Sequence, residues 1–420
     1  MPHMASAFSQ LLEPLDRRVL NRLVARHDGD RGVGSGPKAW TCVRHLRTML
    51  FAQFAGLNSL REIEQGLAAH PGGLYHLDLR LPRRSTLSDA QAHRPAAIFR
   101  DICQMLIGQV SRVVRQQGQD LIQLIDGSPI LLRDPRLGWA EADPHTRGLK
   151  LHVGYDPRSD VVDWVEIASP RVSELTIARA RPIVPGTVYV YDKPVLSDAA
   201  GGVEGGYLDF GWWHAIDAAG ATFVTRLKTN TKRRDVRARQ IQGDGIIEDN
   251  DVKIGHAAPR GRARNLLFDT PLREILVARE GKAPMRLVAN DLTRLATQIA
   301  ALYKERWQIE LLFKWIKQNL KIKRFLGRSE NAVKIQIYVA LIAYLLLRML
   351  RQTCAASHRH APKALITRIK VALFNRRRPF RTRQTATDTA RKTTTDTATG
   401  AQAVNPGQLW DLIRHPLASA

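Results

Sequence analysis

Four polar residues in one short segment could act together on a phosphate group: Tyr303, Arg306, Glu310 and Lys317. On a single α-helix, at about 100° per residue, they would share an arc of roughly 60° along about 20 Å of the helix axis. A carboxylate flanked by a phenol, a guanidinium and an ammonium suits a metal ion beside a phosphodiester. The same spacing also describes a solvated charged face, so the segment alone does not decide the function.

Two aspartates strengthen the catalytic interpretation. Asp126 and Asp192 each follow a mainly apolar run that predicts a β-strand. Both would emerge at the carboxyl edge of a sheet, where open α/β sheets place their ligands, although either one alone could be a turn residue. Together with Glu310 they form a set of oxygen ligands that suits Mg²⁺ or Mn²⁺. We therefore predict Asp126, Asp192 and Glu310 as catalytic residues and metal ligands.

The elements that must position these residues follow a regular order. The pattern predicts strands over 121–126, 149–155, 161–167, 188–192 and 221–227, with helices over 174–181 and 210–219. Three strands, a helix, a strand, a helix and a strand are the order expected of a ribonuclease-H-like α/β core. An apolar stripe beside Glu310 would anchor its helix on the sheet; it consists of Ile309, Leu312, Phe313, Ile316 and Leu320.

The N-terminal region is predicted to be helical. An amphipathic helix over 38–55 ends at Gly56, and Ser59 with Glu62 forms a capping box for the next helix. This outline fits a DNA-binding helix-turn-helix and equally fits a plain helical bundle. The basic segment 83–87 adds a helix start whose free N–H groups could hold phosphates.

Five segments are expected along the chain. They are a helical N-terminal DNA-binding domain (1–118), the first part of the ribonuclease-H-like core (119–230), a β-rich insertion (231–291), core helices that include Glu310 (292–350), and a basic, partly disordered C-terminal region (351–420).

The charge of the chain narrows the class of partner. Its 420 residues carry a formal net charge of +25, which favours a polyanion such as nucleic acid. The longest apolar run, 337–347, is shorter than the roughly 20 residues of a membrane span, and residues 1–4 show no secretory signal pattern. Three widely spaced cysteines suit a reducing compartment. We expect a cytoplasmic protein that binds nucleic acid and no membrane.

The segment that begins at Tyr303 resembles the glutamate helix of DDE transposases of the insertion-sequence-four family, whose pattern is Y-x-x-R-x-x-x-E-x-x-x-x-x-x-K. The triplet Asp126-Gly127-Ser128 resembles the first catalytic aspartate of that family. Asp192, followed by FVTRLK at 223–228, resembles the second. The resemblance extends over roughly residues 7–350.

This resemblance implies a bacterial DNA transposase that cuts element ends and joins the freed 3′ hydroxyls to target DNA. It implies two Mg²⁺ or Mn²⁺ ions, terminal inverted repeats and target DNA as double-stranded partners, a homodimer in a synaptic complex, and a place in the cytoplasm with the nucleoid. The residues expected to contact DNA are Tyr303, Arg306, Lys317, Lys314, Arg226 and Lys228.

The sequence departs from the family pattern after the second aspartate. The family usually reads Asp-Arg-Gly-Tyr, whereas here Gly206 and Tyr207 follow only after an apparent insertion over 194–205. The insertion is either a tolerated loop or the mark of a degenerate copy, in which Asp198 or Asp209 could replace Asp192 as a ligand. The rival functions are a DNA-binding protein without catalysis and a ribonuclease-H-like structure-specific nuclease.

Overall fold

The structure is a computed structural model that describes residues 6–34, 36, 39–115, 121–132, 134, 136–143, 146–158, 160–192, 210–227, 231–256, 265–319, 325–353, 369 and 373. The described chain is a mixed α/β protein. Ten strands form one sheet, and apolar side chains of helices pack in two clusters against it.

The first half of the sheet combines antiparallel and parallel pairs. Its strands are β1 (Leu121–Leu131), β2 (Glu141–Asp143), β3 (Thr146–Asp156), β4 (Val161–Ala168), β5 (Thr187–Tyr191) and β6 (Thr222–Arg226). Strand β3 pairs antiparallel with β1, β2 and β4, while β5 runs parallel to both β1 and β6. The five strands predicted for this half all form, which gives the order β4-β3-β1-β5-β6 across the sheet.

Four further strands extend this sheet. They are β7 (Arg233–Ala238), β8 (Ile246–Ile254), β9 (Leu272–Arg279) and β10 (Lys282–Ala289). Strand β10 pairs antiparallel with β6, and β9, β8 and β7 follow it outward in that order. Segment 231–291 therefore continues the sheet edge that β6 would otherwise expose.

Seven helices precede the sheet in the described chain. They are α1 (Ala7–Leu12), α2 (Arg17–Arg26), α3 (Cys42–Ala55), α4 (Leu60–Ala68), α5 (Pro71–Leu74), α6 (Arg84–His93) and α7 (Ala96–Arg115). Helix α3 begins at Cys42, four residues later than predicted, because the Thr41 hydroxyl accepts a hydrogen bond from the backbone N–H of Arg44 and caps it there. The helix ends, as predicted, at Gly56 in the left-handed conformation (φ 78°).

The predicted capping box at α4 forms in part: the Ser59 cap is present, but the Glu62 carboxylate accepts from the residue before Ser59 and not from Ser59 itself. The backbone N–H of Glu62 donates to the Ser59 hydroxyl at 3.1 Å. In return, the Glu62 carboxylate accepts from the backbone N–H of Asn58 at 2.8 Å. Two N–H groups at the helix start thus gain partners, which fixes the turn between α3 and α4.

The later helices of the described chain are α8 (Glu174–Arg179), α9 (Phe210–Ala218), α10 (Ala296–Glu305), α11 (Trp307–Asn319) and α12 (Glu330–Thr353). Four of them pack against strands of the sheet, and the fifth, α12, packs against other helices. Helix α9 packs Trp213 against Phe223 of β6, with ring centroids 4.7 Å apart. Helix α12 contacts α1, α3, α6, α7 and α11, so one continuous apolar core joins the N-terminal helices to the sheet.

Helix α12 is longer than the apolar run seen in the sequence. Its part Glu330–Leu350 is long and apolar enough to cross a membrane by length and composition alone. However, 83% of its most apolar window is buried inside the protein. Its apolar side chains thus already have protein partners, as expected of the central helix of a core.

Candidate active site

Asp126 and Asp192 lie side by side in the sheet. The parallel register of β1 with β5 ends at the pair Ile125 and Tyr191, so the two aspartates occupy the next position on neighbouring strands. The register of β5 with β6 likewise ends one residue before Asp192 and Arg226. Neighbouring strands lie about 4.8 Å apart. The three charged residues therefore form a row across β1, β5 and β6.

Asp126 is not at the end of its strand, so that part of the prediction was wrong. Strand β1 continues to Leu131 and stays paired with β3 as far as the pair Leu131 and Gly148. The reason is that β3 offers an antiparallel partner beyond the point where β5 ends at Tyr191. Asp126 thus lies where β1 leaves its parallel neighbour.

The predicted glutamate helix is divided into two helices. Helix α10 ends at Glu305, α11 begins at Trp307, and Arg306 forms a turn between them. The Arg306 N–H donates to the Tyr303 carbonyl and the Ile309 N–H to the Arg306 carbonyl, both three residues back. The prediction of one unbroken helix was therefore wrong.

Arg306 contacts acidic side chains of both β1 and α11. Its Nη2 lies 2.7 Å from Glu310 Oε1, and its Nη1 lies 3.6 Å from Asp126 Oδ2. Burial alone would lower the pKa of Arg306, but Tyr303, Asp192 and Glu310 outweigh it and raise that pKa. One guanidinium thus interacts with all three predicted carboxylates.

Tyr303 and Arg226 hold Asp192 from two sides. Tyr303 is 6% exposed and donates a hydrogen bond to the Asp192 carboxylate. Burial and then the charge of Asp192 raise the pKa of Tyr303 to about 12, so the phenol keeps its proton at neutral pH. Arg226 Nε lies 3.2 Å from Asp192 Oδ1 on the neighbouring strand.

Lys317 reaches the same strand as Asp126 through a residue that the sequence interpretation missed. Its Nζ donates to the hydroxyl of Ser128 at 2.7 Å. Ser128 lies two positions after Asp126 in β1, so both side chains point to the same face of the sheet. The spacing of two residues between Asp126 and Ser128 in a predicted strand was the signal in the sequence that could have identified Ser128 as a site residue.

The remaining predicted residues have different positions. Lys314 is exposed on α11, whereas Lys228 lies outside the described residues, as do 194–205, Asp198 and Asp209. The apolar stripe of α11 is buried as expected: Ile309, Leu312, Phe313 and Ile316 are each at most 6% exposed. Leu320 also lies outside the described part.

The comparison with known protein families agrees with this geometry. A family model described as "Transposase DDE domain" matches residues 117–346, which is more than half of the chain. The chain belongs to the DDE transposase family. A second model, described as a domain of unknown function (DUF4372), matches residues 3–80.

Several curated relatives carry transposase names. The putative transposase y4zB of Sinorhizobium fredii is 41% identical over 292 residues, 68% of this chain and 77% of that protein. The probable transposase for insertion sequence element IS5377 of Geobacillus stearothermophilus is 27% identical, over 73% of this chain and 76% of its own. The putative transposase for insertion sequence element IS4SA of Synechocystis is 55% identical over 53 residues, 13% of this chain and 16% of its own.

These comparisons confirm the predicted family and activity. The transposase is an enzyme of DNA cleavage and strand transfer, and the insertion-sequence names agree with the resemblance to the insertion-sequence-four family. DDE transposases act on DNA and generally depend on a divalent metal ion.

The acidic side chains of the transposase fit such an ion by chemistry. Asp126, Asp192 and Glu310 supply only carboxylate oxygens, which hard divalent cations prefer. Within the described residues, no three acidic, histidine or cysteine side chains are arranged closely enough to hold a metal. Instead, the cation between Asp126 and Glu310 is the Arg306 guanidinium. Metal binding would therefore require Arg306 to move away from these carboxylates.

Proposed function

We propose that Asp126, Asp192 and Glu310 are the catalytic acidic residues of the transposase and that β1, β3, β4, β5 and β6 form a ribonuclease-H-like core. The sheet order supports the ribonuclease-H-like core. The antiparallel strands β4, β3 and β1 are followed by β5 and β6, which run parallel to β1. The contact of Arg306 with both Asp126 and Glu310, beside Asp192, is the observation that carries the first part.

The three carboxylates are proposed to hold two Mg²⁺ or Mn²⁺ ions. When bound, such ions activate water or a 3′ hydroxyl and stabilise the leaving oxygen at phosphorus. Asp126 and Asp192 would lie on adjacent strands, while Glu310 would approach from α11. The acidic residues are 23–35% exposed, so solvent and ions can reach them.

The basic and phenolic side chains are proposed to position the DNA. Arg306, once released from the carboxylates, would hold a phosphate beside the scissile bond, since its planar fork matches two phosphate oxygens. Tyr303 and Arg226 keep Asp192 oriented and, with Lys317, Lys314 and Lys228, provide the predicted DNA contacts. Lys317 is held toward the site by Ser128.

The proposed reaction cuts the two ends of an insertion sequence and joins the 3′ hydroxyls to target DNA. We further propose that a homodimer brings two element ends together in the bacterial cytoplasm. Asp192 lies in register with Asp126 although the unusual segment 194–205 follows it. That register favours an active enzyme over a degenerate copy.

The test uses the purified chain, MgCl₂ and a plasmid that carries both DNA flanks of the chain's own gene. We expect cleavage at the element ends and joining of the released ends to a second plasmid. Asp126→Asn, Asp192→Asn and Glu310→Gln should each reduce cleavage by about 10²-fold or more. Binding to a labelled end fragment should stay within a few-fold of the wild type.

Glu280→Gln is the matched control, because Glu280 is an exposed acid at the hairpin between β9 and β10. It should cleave and join like the wild type. Cleavage without joining would favour the structure-specific nuclease. Binding without cleavage in the wild type would favour the non-catalytic DNA-binding protein.

A further inference from the structure

A groove of about 990 Å³ begins beside the candidate site. Its lining includes Leu131 at the end of β1, Arg136 in the following turn, Ser88 of α6, Lys317 of α11, and Arg328 just before α12. We propose that this groove holds the DNA strand that continues beyond the scissile phosphate, an inference that rests on the proposed function.

The groove and the candidate site share Lys317. This side chain lines the groove and also donates to Ser128, which lies two residues after Asp126 on the same strand. From Asp126, strand β1 leads to Leu131, about 17 Å away at about 3.4 Å per residue. A DNA strand rises about 3.4 Å per nucleotide. Leu131 therefore lies at about the fifth nucleotide from the phosphate to be cut.

The polar lining of the groove suits a phosphate backbone. The side chains of Arg136 and Arg328 are 63% and 60% exposed, and their Nε atoms lie 2.8 Å and 3.5 Å from the two carboxylate oxygens of Asp134. Each guanidinium offers five N–H donors, more than one shared carboxylate can use. With Lys317, the described lining of the groove carries three cations against one anion, so an anionic strand is favoured.

The remaining lining suits the sugars and bases of a strand. Leu131 is 59% exposed although it is apolar, and Phe325 lines the groove half-buried. Such apolar and aromatic surface can contact the sugars and bases of a strand whose phosphates the cations hold. The Trp139 indole N–H donates to the Arg328 carbonyl at 2.7 Å, which joins the backbone of Arg328 to the turn 138–140 between β1 and β2.

The first experiment is a disulfide cross-link from Leu131→Cys. The probes are duplexes of the element end with a thiol-bearing nucleotide at one of the ten positions on either side of the cleavage site, used in EDTA. We expect the strongest cross-link about three to seven nucleotides from the scissile phosphate, on one side only. Val184→Cys is the control, because Val184 is 40% exposed and precedes β5, at the opposite strand end from Asp192. It should give only the wild-type background.

The second experiment removes the two groove arginines. Arg136→Ala/Arg328→Ala should flatten the slope of log affinity against log salt by about two, since each phosphate contact contributes about one. Arg158→Ala/Lys282→Ala removes the same charge from exposed positions outside the groove lining and should leave the slope unchanged. Circular dichroism melts of both variants should match the wild type.

The two proposals fail differently. A wild-type chain that does not cut element ends contradicts the proposed function. A wild-type chain that cuts, together with no Leu131→Cys cross-link or equal slopes for the two double variants, overturns the groove assignment alone. A cross-link between two Leu131→Cys chains in place of DNA would show that a second copy occupies the groove and would also overturn it.

Discussion

Arg306 is the residue on which the candidate site depends, because it interacts with the carboxylates of Asp126, Asp192 and Glu310. Three neighbouring carboxylates repel one another unless a cation lies between them. The guanidinium supplies that cation in the folded chain. The proposed divalent ions would have to compete with it for the same oxygens.

Arg306→Ala should therefore change how the protein responds to metal. Without the guanidinium, the carboxylates bind Mn²⁺ with less competition, so MnCl₂ should raise the melting temperature more than in the wild type. Differential scanning fluorimetry across a MnCl₂ series measures this shift. Arg294→Ala is the control, because Arg294 pairs with Asp291, which is not one of the proposed ligands. A smaller metal response in Arg306→Ala than in Arg294→Ala would contradict the competition.

The proposed contact of Arg306 with DNA predicts a difference between two substitutions of this residue. Arg306→Ala should weaken the cleavage complex more than Arg306→Lys, since Lys keeps the charge but loses the planar fork. Gel shifts with an end fragment measure the complex. Wild-type cleavage in both variants would mean that Arg306 contributes nothing to DNA positioning.

Tyr303 should make stability depend on alkaline pH. Burial and Asp192 raise its pKa to about 12, above the usual value of about 10. A raised pKa stabilises the fold fully below the unfolded value, and that contribution is lost as the pH rises through the folded value. The wild type should therefore lose about 2 kcal/mol relative to Tyr303→Phe between pH 10 and pH 12.

Urea unfolding at a series of pH values measures this difference. Tyr75→Phe serves as the control, because Tyr75 is 86% exposed. It should follow the wild-type pH dependence. A constant gap between wild type and Tyr303→Phe across the range would show that the phenol is not held as described.

At the scale of elements, the added strands β7–β10 depend on buried charges. Arg273 and Asp249 are each only 4% exposed in their side chains and form two parallel hydrogen bonds, at 2.8 Å and 2.7 Å, between β9 and β8. Glu274 is 2% exposed and pairs with Arg233 at 2.8 Å. Each pair joins two different strands, β9 with β8 and β9 with β7. The order of these strands in the sheet therefore brings opposite charges together.

Removing one partner of a buried ion pair should lower the free energy of unfolding far more than replacing both partners by apolar residues. Asp249→Ala leaves the Arg273 charge buried without its partner and should destabilise the fold by about 3–5 kcal/mol. Asp249→Leu/Arg273→Met should recover most of that loss. Urea unfolding measures both variants. Asp269→Ala, at an acid 79% exposed, should change stability by less than about 1 kcal/mol. An equal loss in the single and double variants would contradict the charge argument.

At the scale of the whole molecule, the net charge of +25 predicts phosphate contacts in several regions. The basic cluster 232–239 is one region that this charge would assign to phosphate contacts, but part of it is already paired with acidic residues. Arg233 pairs with Glu274 and Glu248, and Arg239 pairs with Asp251. Arg237 of the same cluster is exposed, and Arg234 is exposed although it lies 3.8 Å from Asp269. The basic segments 260–264 and 376–383 lie outside the described residues.

We therefore expect about eight phosphate contacts and a slope of log affinity against log salt near −7. Titrations of an end fragment at several KCl concentrations measure it. Removal of 376–383 should flatten the slope by a few units, whereas removal of 385–420 should change little. Sequence preference should survive both deletions if the N-terminal helices read the bases. A slope near −2 for the full chain would show that the basic regions do not bind backbone.

The sequence by itself determined the family, the succession of strands and helices along the first half of the sheet, and the ends of several helices. These features depend on local signals: apolar periodicity along 121–126 and 188–192, the glycine after α3, and the Ser59–Glu62 box. The residues of the candidate site were also chosen from the sequence. Their catalytic roles stay predictions, although the structure brings Asp126, Asp192 and Glu310 around Arg306.

Only the tertiary structure decided how these residues meet. The continuation of β1 beyond Asp126 depends on its pairing with β3, and the position of Asp192 depends on its register with β1. The turn at Arg306 interrupts a pattern that a helical period alone would continue, and the Arg306 side chain contacts both the sheet and α11. The bond from Lys317 to Ser128 joins residues 189 positions apart. Such contacts depend on long-range packing, which a local sequence pattern does not specify.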